Sequence, residues 1–134
     1  MYFAERVAAE KVHQWLAAGT RRPVFQAELL PVAMAAAIWA ETLRDREVIL
    51  FLDNEAARYA LVKGYSPIMS AARLVGEAWL SFASCGAAVW IARVPSESNP
   101  ADAPSRGQEC PGWRRVEAKV PCGLGSAREW FTAG

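Results

Sequence analysis

The chain has 134 residues, 53% hydrophobic and 22% charged, the composition of one soluble globular domain; collagen-like, mucin-like and disordered classes are excluded. At this length roughly two thirds of the unfolded chain's surface can be buried, so neither disulfides nor a structural metal is needed for stability. Lys and Arg number 15 against 14 Asp and Glu, and the net charge of +1 excludes a global pull toward nucleic acid or anionic membrane, leaving only local patches such as the Arg pairs at 21–22 and 114–115.

In chain order, residues 4–18 place Val7, Val12, Trp15 and Leu16 at helical spacing, and Gly19 follows as a stop. The alanine-rich apolar run 27–43 predicts a long buried helix. Its start is expected near residues 25–28, so that Pro31 and Glu28 fall in the opening turn, where proline costs no intrahelical bond. The run VILFL then predicts a strand buried on both faces of a parallel sheet, with Asp53 at its C-terminal end. Asp53 or Asn54 is expected to cap a helix over EAARYALVKG that Gly64 closes, and Ser66-Pro67 to open another that runs to Gly86. Residues 88–94 predict a second buried strand ended by Pro95, and Asn99-Pro100 a short helix over ADAPSR. From Gly107 onward a loop is expected, with one late helix.

The three cysteines, Cys85, Cys110 and Cys122, include no C-x-x-C pair, and His13 is the single histidine, which argues against zinc. No signal-peptide pattern opens the chain and no apolar run approaches the ~20 residues of a membrane span, so an intracellular protein with no membrane partner is expected. Trp15, Trp39, Trp79 and Trp90 lie in apolar contexts and are expected in the core. Arg106, Arg114 and Arg115 follow the last acidic candidate; a solvated turn is their ordinary reading, and phosphate contact is the alternative to it.

Only three aspartates occur, Asp45, Asp53 and Asp102. Ligands of an open α/β sheet bind beyond the C-terminal ends of its strands, which brings Asp53 and Asp102 toward one crevice, with Glu28 reaching it from the preceding helix. Oxygen donors without His or Cys suit Mg²⁺, and two such ions about 3.5–4 Å apart activate water and stabilise a leaving oxygen in phosphate chemistry. Taken singly, each acid has an ordinary role: Asp53-Asn54 as a helix cap, Glu28 as a first-turn acid, and the Asn99 to Asp102 stretch as turn chemistry. Their joint order and spacing separates the readings.

The segments QAELLPVAMAAAIW, VILFLDNEAARYALVKGYS and VPSESNPADAPSRG resemble, in that order, the ribonuclease H domain of retroelement (LTR-type) reverse transcriptases. The similarity covers residues 1–107; the N-x-A-D-x-x-S-R pattern after Val-Pro is its most specific part, and residues 108–134 form a tail outside it. The resemblance implies an α/β ribonuclease H-like fold and Mg²⁺- or Mn²⁺-dependent hydrolysis of the RNA strand of RNA–DNA hybrids. It makes Glu28, Asp53 and Asp102 three of the family's four metal-binding carboxylates, with two ions as cofactor. Candidate substrate contacts are Asn54, Asn99, Ser105 and Arg106, and the implied partner is the polymerase region of a parent polyprotein. The leading aspartate of the family has no counterpart, since none precedes Asp45. The expected fold is therefore truncated at its N-terminus, with the first two strands missing and MYFAERV as a strand remnant. The alternative expectation is a non-catalytic ribonuclease H-like remnant or nucleic-acid-binding module.

Overall fold

The computed structural model describes residues 1–4, 6–19 and 21–117. Among them the order is α1 (Ala9–Ala17), α2 (Val24–Ile38), α3 (Ala40–Leu43), β1 (Glu47–Leu52), α4 (Glu55–Lys63), α5 (Met69–Ser84), β2 (Ala88–Arg93), a 3₁₀ turn (Ser96–Ser98) and α6 (Asp102–Ser105). The protein is α/β, with β1 and β2 paired in parallel from Glu47 opposite Ala88 to Leu52 opposite Arg93. Parallel neighbours require a crossover, and α4 with α5 supplies it.

Helix α2 has no polar stripe and is buried over most of its surface, with Val24 and Pro31 the exposed positions. Leu29, Leu30, Ala33 and Met34 of α2 are buried with Leu74, Val75, Ala78 and Phe82 of α5 in one core cluster. Ala57, Ala60 and Leu61 of α4, Trp15 of α1 and Ile91 of β2 complete it. Buried Gln26 of α2 donates through Nε2 to Ser70 Oγ of α5 at 3.0 Å, a polar tie beside the apolar contact. Trp79 reaches from α5 to the end of α4, where its indole N–H donates to the Leu61 carbonyl at 2.9 Å.

Several boundaries differ from the sequence expectation. Helix α2 begins at Val24, which moves Glu28 into the second turn and Pro31 into the helix interior. Pro31 is exposed, so its ring faces away from the packed side of the helix, where the forfeited intrahelical bond is tolerated best. The long helix turns at Trp39, whose ring packs at 5.5 Å on Phe3, and α3 continues it. Helix α5 starts at Met69 rather than behind Ser66, because Ser66 Oγ accepts from the Ile68 N–H at 3.2 Å and closes a turn ahead of the helix. The segment expected as a strand remnant does not join β1 and β2. Tyr2 instead forms an isolated bridge with Arg115, its N–H donating to the Arg114 carbonyl at 2.9 Å and its carbonyl accepting from Val116 at 2.8 Å. That engagement delays α1 to Ala9.

The strands are not buried on both faces. In β1 exposed and part-buried residues alternate, and Ile49, Phe51 and, from β2, Trp90 are 62%, 57% and 74% exposed. Leu50, Leu52, Val89 and Ile91 face the helices. A continuous apolar run thus hides a two-sided difference that only the neighbours decide, and Trp90 lies outside the core where Trp15 is within it. From Gly107 to Glu117 the chain is irregular apart from the Arg115 bridge; the late helix expected beyond lies outside the described residues.

The entry to each strand rests on a close backbone approach. Asp45, at φ 54°, donates its N–H to the Cys85 carbonyl at 2.9 Å, and a Cβ on Gly86 would collide with the Asp45 side chain. Gly86 also has φ 71°, a left-handed conformation that disfavours larger residues, while the Asp45 side chain would have to swing aside for a Cβ.

After β1, Asn54 is the cap of α4: its Oδ1 accepts from the Ala57 N–H at 2.9 Å, and Gly64 closes the helix in the left-handed region at φ 68°. Replacement Asn54→Ala is expected to cost about 1 kcal/mol. Thermal denaturation should register a fall of about 4 °C.

Candidate functional site

Asp53 sits directly beyond the C-terminal end of β1, and because Asn54 does the capping, the Asp53 carboxylate is not consumed by α4. Glu28 projects from the second turn of α2, a helix held against α5 by its apolar faces. Both acids are partly buried. Desolvation first, and the negative charge of Asp53 second, push the Glu28 carboxyl above its ordinary value of 4.5. The fold thus brings Glu28 and Asp53 close enough for one charge to act on the other.

The rise in the Glu28 pKa sets the sign of a pH effect. The unfolded chain holds this carboxyl at its ordinary value, so the folded state binds the proton more tightly. Stability is retained below 4.5 and falls as pH rises from there through the raised value. Glu28→Gln is therefore expected to melt higher than the parent at neutral pH and level with it near about pH 4. Millimolar Mg²⁺ should narrow the neutral-pH gap by stabilising the parent alone. Parallel melts across pH, with and without the cation, test both; a variant that melts lower at neutral pH contradicts the assignment.

Asp102 is placed differently. It opens α6, and its Oδ2 is engaged by Arg106 Nε at 3.1 Å, an ion pair of the i, i+4 type with the carboxylate 37% exposed. Among the described residues no group of three or more His, Cys, Asp or Glu side chains is arranged to hold a metal ion. The structure therefore brings two of the three candidate carboxylates together and ties the third to a guanidinium. The donor chemistry of Glu28 and Asp53 still fits a hard divalent cation, because such an ion would offset the Asp53 charge that adds to desolvation in raising Glu28.

The candidate substrate residues all have local partners. Asn54 caps α4; Asn99 Oδ1 accepts from the Ala101 N–H at 3.1 Å; Ser105 Oγ donates to the Asp102 carbonyl at 2.7 Å; Arg106 holds Asp102. Asn99 and Ser105 thus shape the bend that presents Asp102. His13 is exposed on α1 and Cys85 is buried, its thiol directed to the Phe82 carbonyl at 3.3 Å.

Sequence reasoning missed the Arg106 to Asp102 pair, although the i, i+4 spacing on ADAPSR was the available signal. It also missed that Tyr2 and Arg6 lie beside Arg106 and Arg115, a proximity that depends on the bridge between the ends of the described chain. No helix among the described residues is long and apolar enough to cross a membrane. No family model, curated protein or solved structure matches the chain.

Proposed function

We propose that the chain is a ribonuclease H-like domain of a retroelement reverse transcriptase and hydrolyses the RNA strand of RNA–DNA hybrids with Mg²⁺ or Mn²⁺. The observation that carries this reading is that the fold sets half-buried Glu28 on α2 near enough to Asp53, at the end of β1, for the Asp53 charge to bear on its carboxyl. The order of elements supports it: an acid-bearing helix, a strand ending in Asp53, two crossover helices, an adjacent parallel strand, and Asp102 on the bend beyond it. Acids beyond the C-terminal ends of parallel strands lie where open α/β sheets bind ligands.

Glu28 and Asp53 would hold the cation, with Asp102 as third donor after release from Arg106. When bound, the cation supplies charge stabilisation at phosphorus and lowers the pKa of an attacking water. The chain's own residues position and neutralise. Specificity for a hybrid follows from the 2′-hydroxyls and backbone shape, so cleavage without base preference is expected.

The test is hydrolysis of end-labelled RNA–DNA hybrid by the folded chain in Mg²⁺ or Mn²⁺, beside single-stranded RNA and duplex DNA. Cleavage confined to the RNA of the hybrid supports the reading. A folded chain that cleaves nothing, alone or with an upstream aspartate-bearing hairpin fused ahead of Met1, overturns it.

One observation favours a second reading. Asp102 is paired with Arg106, and no three acids converge among the described residues, as in a non-catalytic module that only binds nucleic acid. Hybrid binding without cleavage, unaltered by Asp53→Asn, is the result that selects it.

A further inference from the structure

Side chains of a strand alternate between its two faces, and parallel strands are ordinarily covered on both. The helices cover one face of the β1–β2 pair, where Leu50, Leu52, Val89 and Ile91 pack. The opposite face carries Glu47, Ile49 and Phe51 from β1 and Ala88, Trp90 and Ala92 from β2. Among the described residues it stays open, with Ile49, Phe51 and Trp90 each more than half exposed.

These three side chains form one patch, because Ile49 and Trp90 are register partners and Phe51 follows Ile49 on the same face of β1. Together they present on the order of 400–500 Å² of apolar surface, the size at which an exposed patch on a soluble chain marks an interaction site. Glu47 is the one charged side chain among the six positions, and none of them holds Lys or Arg. A polyanion has no counter-charge on this face, so an apolar protein surface is the fitting occupant.

The face also matches itself. Read across the register, its rows are Glu47 beside Ala88, Ile49 beside Trp90, and Phe51 beside Ala92. A twofold axis parallel to the strands lays β1 of one copy over β2 of the other with the rows unchanged. Phe51 then stands over the partner's Ala92 and Ile49 over the partner's Trp90, so large meets small at one end and the two large side chains interdigitate in the centre. Aligned sheets pack about 10 Å apart with a rotation of about 30°, which pivots on the central row and keeps it in contact. Two copies of the patch bury roughly 900 Å² of apolar surface, and Ala88, Ala92 and a polar rim around Glu47 bring this to the roughly 1,200 Å² at which specific interfaces begin.

We infer that the open sheet face is the contact between two copies of this chain, a symmetric sheet-on-sheet dimer centred on Ile49 and Trp90. The dimer does not depend on the proposed hydrolysis, although it bears on it. Because the axis runs along the strands, both copies direct the C-terminal end of β1, and Asp53 beyond it, to the same side of the assembly.

The experiment is sedimentation equilibrium of the full chain in reducing buffer, from about 1 μM to about 200 μM. A reversible monomer–dimer equilibrium with a midpoint on the order of 10 μM is expected, in keeping with an interface at the small end of the range. Trp90→Glu, which puts a charge in the covered centre, and Phe51→Ser, which empties the space over Ala92, should each weaken association about tenfold or more. Leu80→Glu, on the exposed side of α5, should associate like the parent. Circular dichroism verifies folding, and Phe51→Ser decides if Trp90→Glu does not fold. A parent that stays monomeric at about 200 μM overturns the inference, and so does a dimer that the folded face variants leave at full strength. Binding of labelled RNA–DNA hybrid by a monomeric parent, lost in folded Trp90→Glu, overturns it too and assigns the face to nucleic acid. A dimeric parent that never cleaves hybrid keeps this interface and removes the nuclease reading; a monomeric parent that cleaves does the reverse.

Discussion

Asp53→Asn is expected to abolish the proposed hydrolysis of the hybrid while leaving the fold intact. Asparagine keeps the shape of the side chain and removes its charge. The helix that follows is capped by Asn54 through Ala57, so the substitution takes no bond from α4. What it removes is the negative charge that acts on Glu28 and with it half of the paired donor set. A catalytic cation contributes several kcal/mol at the transition state, and each ~1.4 kcal/mol is tenfold in rate. The loss should be on the order of a thousandfold or more. Cleavage rates for the parent and the variant at saturating Mg²⁺, together with matching thermal melts, provide the check. An equally active variant would show that the hydrolysis arises elsewhere, and a variant that melts far below the parent would show that Asp53 serves the fold. A second signature accompanies the rate: the Glu28 carboxyl should move back toward its ordinary value, since one of its two perturbing causes is gone.

The largest stability effect is expected from Leu74→Ala. Leu74 is 1% exposed, on the face of α5 that meets α2, in the cluster shared with Leu29, Leu30 and Met34. Truncation removes the transfer free energy of the lost carbons and leaves a cavity that two packed helices close only in part, a cost of about 3–4 kcal/mol. Against a total stability of about 5–15 kcal/mol, that is a large share. Leu80→Ala provides the contrast on the same helix: Leu80 is 65% exposed, and its truncation should stay within about 0.5 kcal/mol. Urea denaturation of the pair reads the difference directly; similar midpoints would mean that α2 does not pack on this face of α5. Because α2 carries Glu28, the destabilised variant should also respond less to Mg²⁺ in its melt.

Legibility in the sequence followed the range of the interactions involved. Helix α4 was readable from both ends, since Asn54 and Gly64 act on backbone groups within a few residues of themselves. The two strands were readable from apolar, β-branched runs of six residues ended by Asp53 and Pro95. Pro31 was misplaced because the start of α2 is set by Pro23 and Val24 upstream, and a proline on a helix's wet face is tolerated in a way that sequence position does not reveal. Ser66 was read as a helix cap when it caps the preceding turn, since both uses employ the same hydroxyl and differ by two residues. Trp90 was placed in the core because its neighbours Val89 and Ile91 belong there.

By itself, the sequence determined an α/β chain, its main helices and both strands, and the three acids worth examining. Hydrophobic period, caps and breakers are local, and local physics is written in adjacent residues. Tertiary structure alone decided which strand face is covered, that Glu28 comes within electrostatic range of Asp53 while Asp102 is held by Arg106, and that Arg6 joins Arg106 and Arg115 in one cleft. Those facts join residues tens of positions apart, and their distances are set by how α2 packs on α5 and how Tyr2 bridges to Arg115.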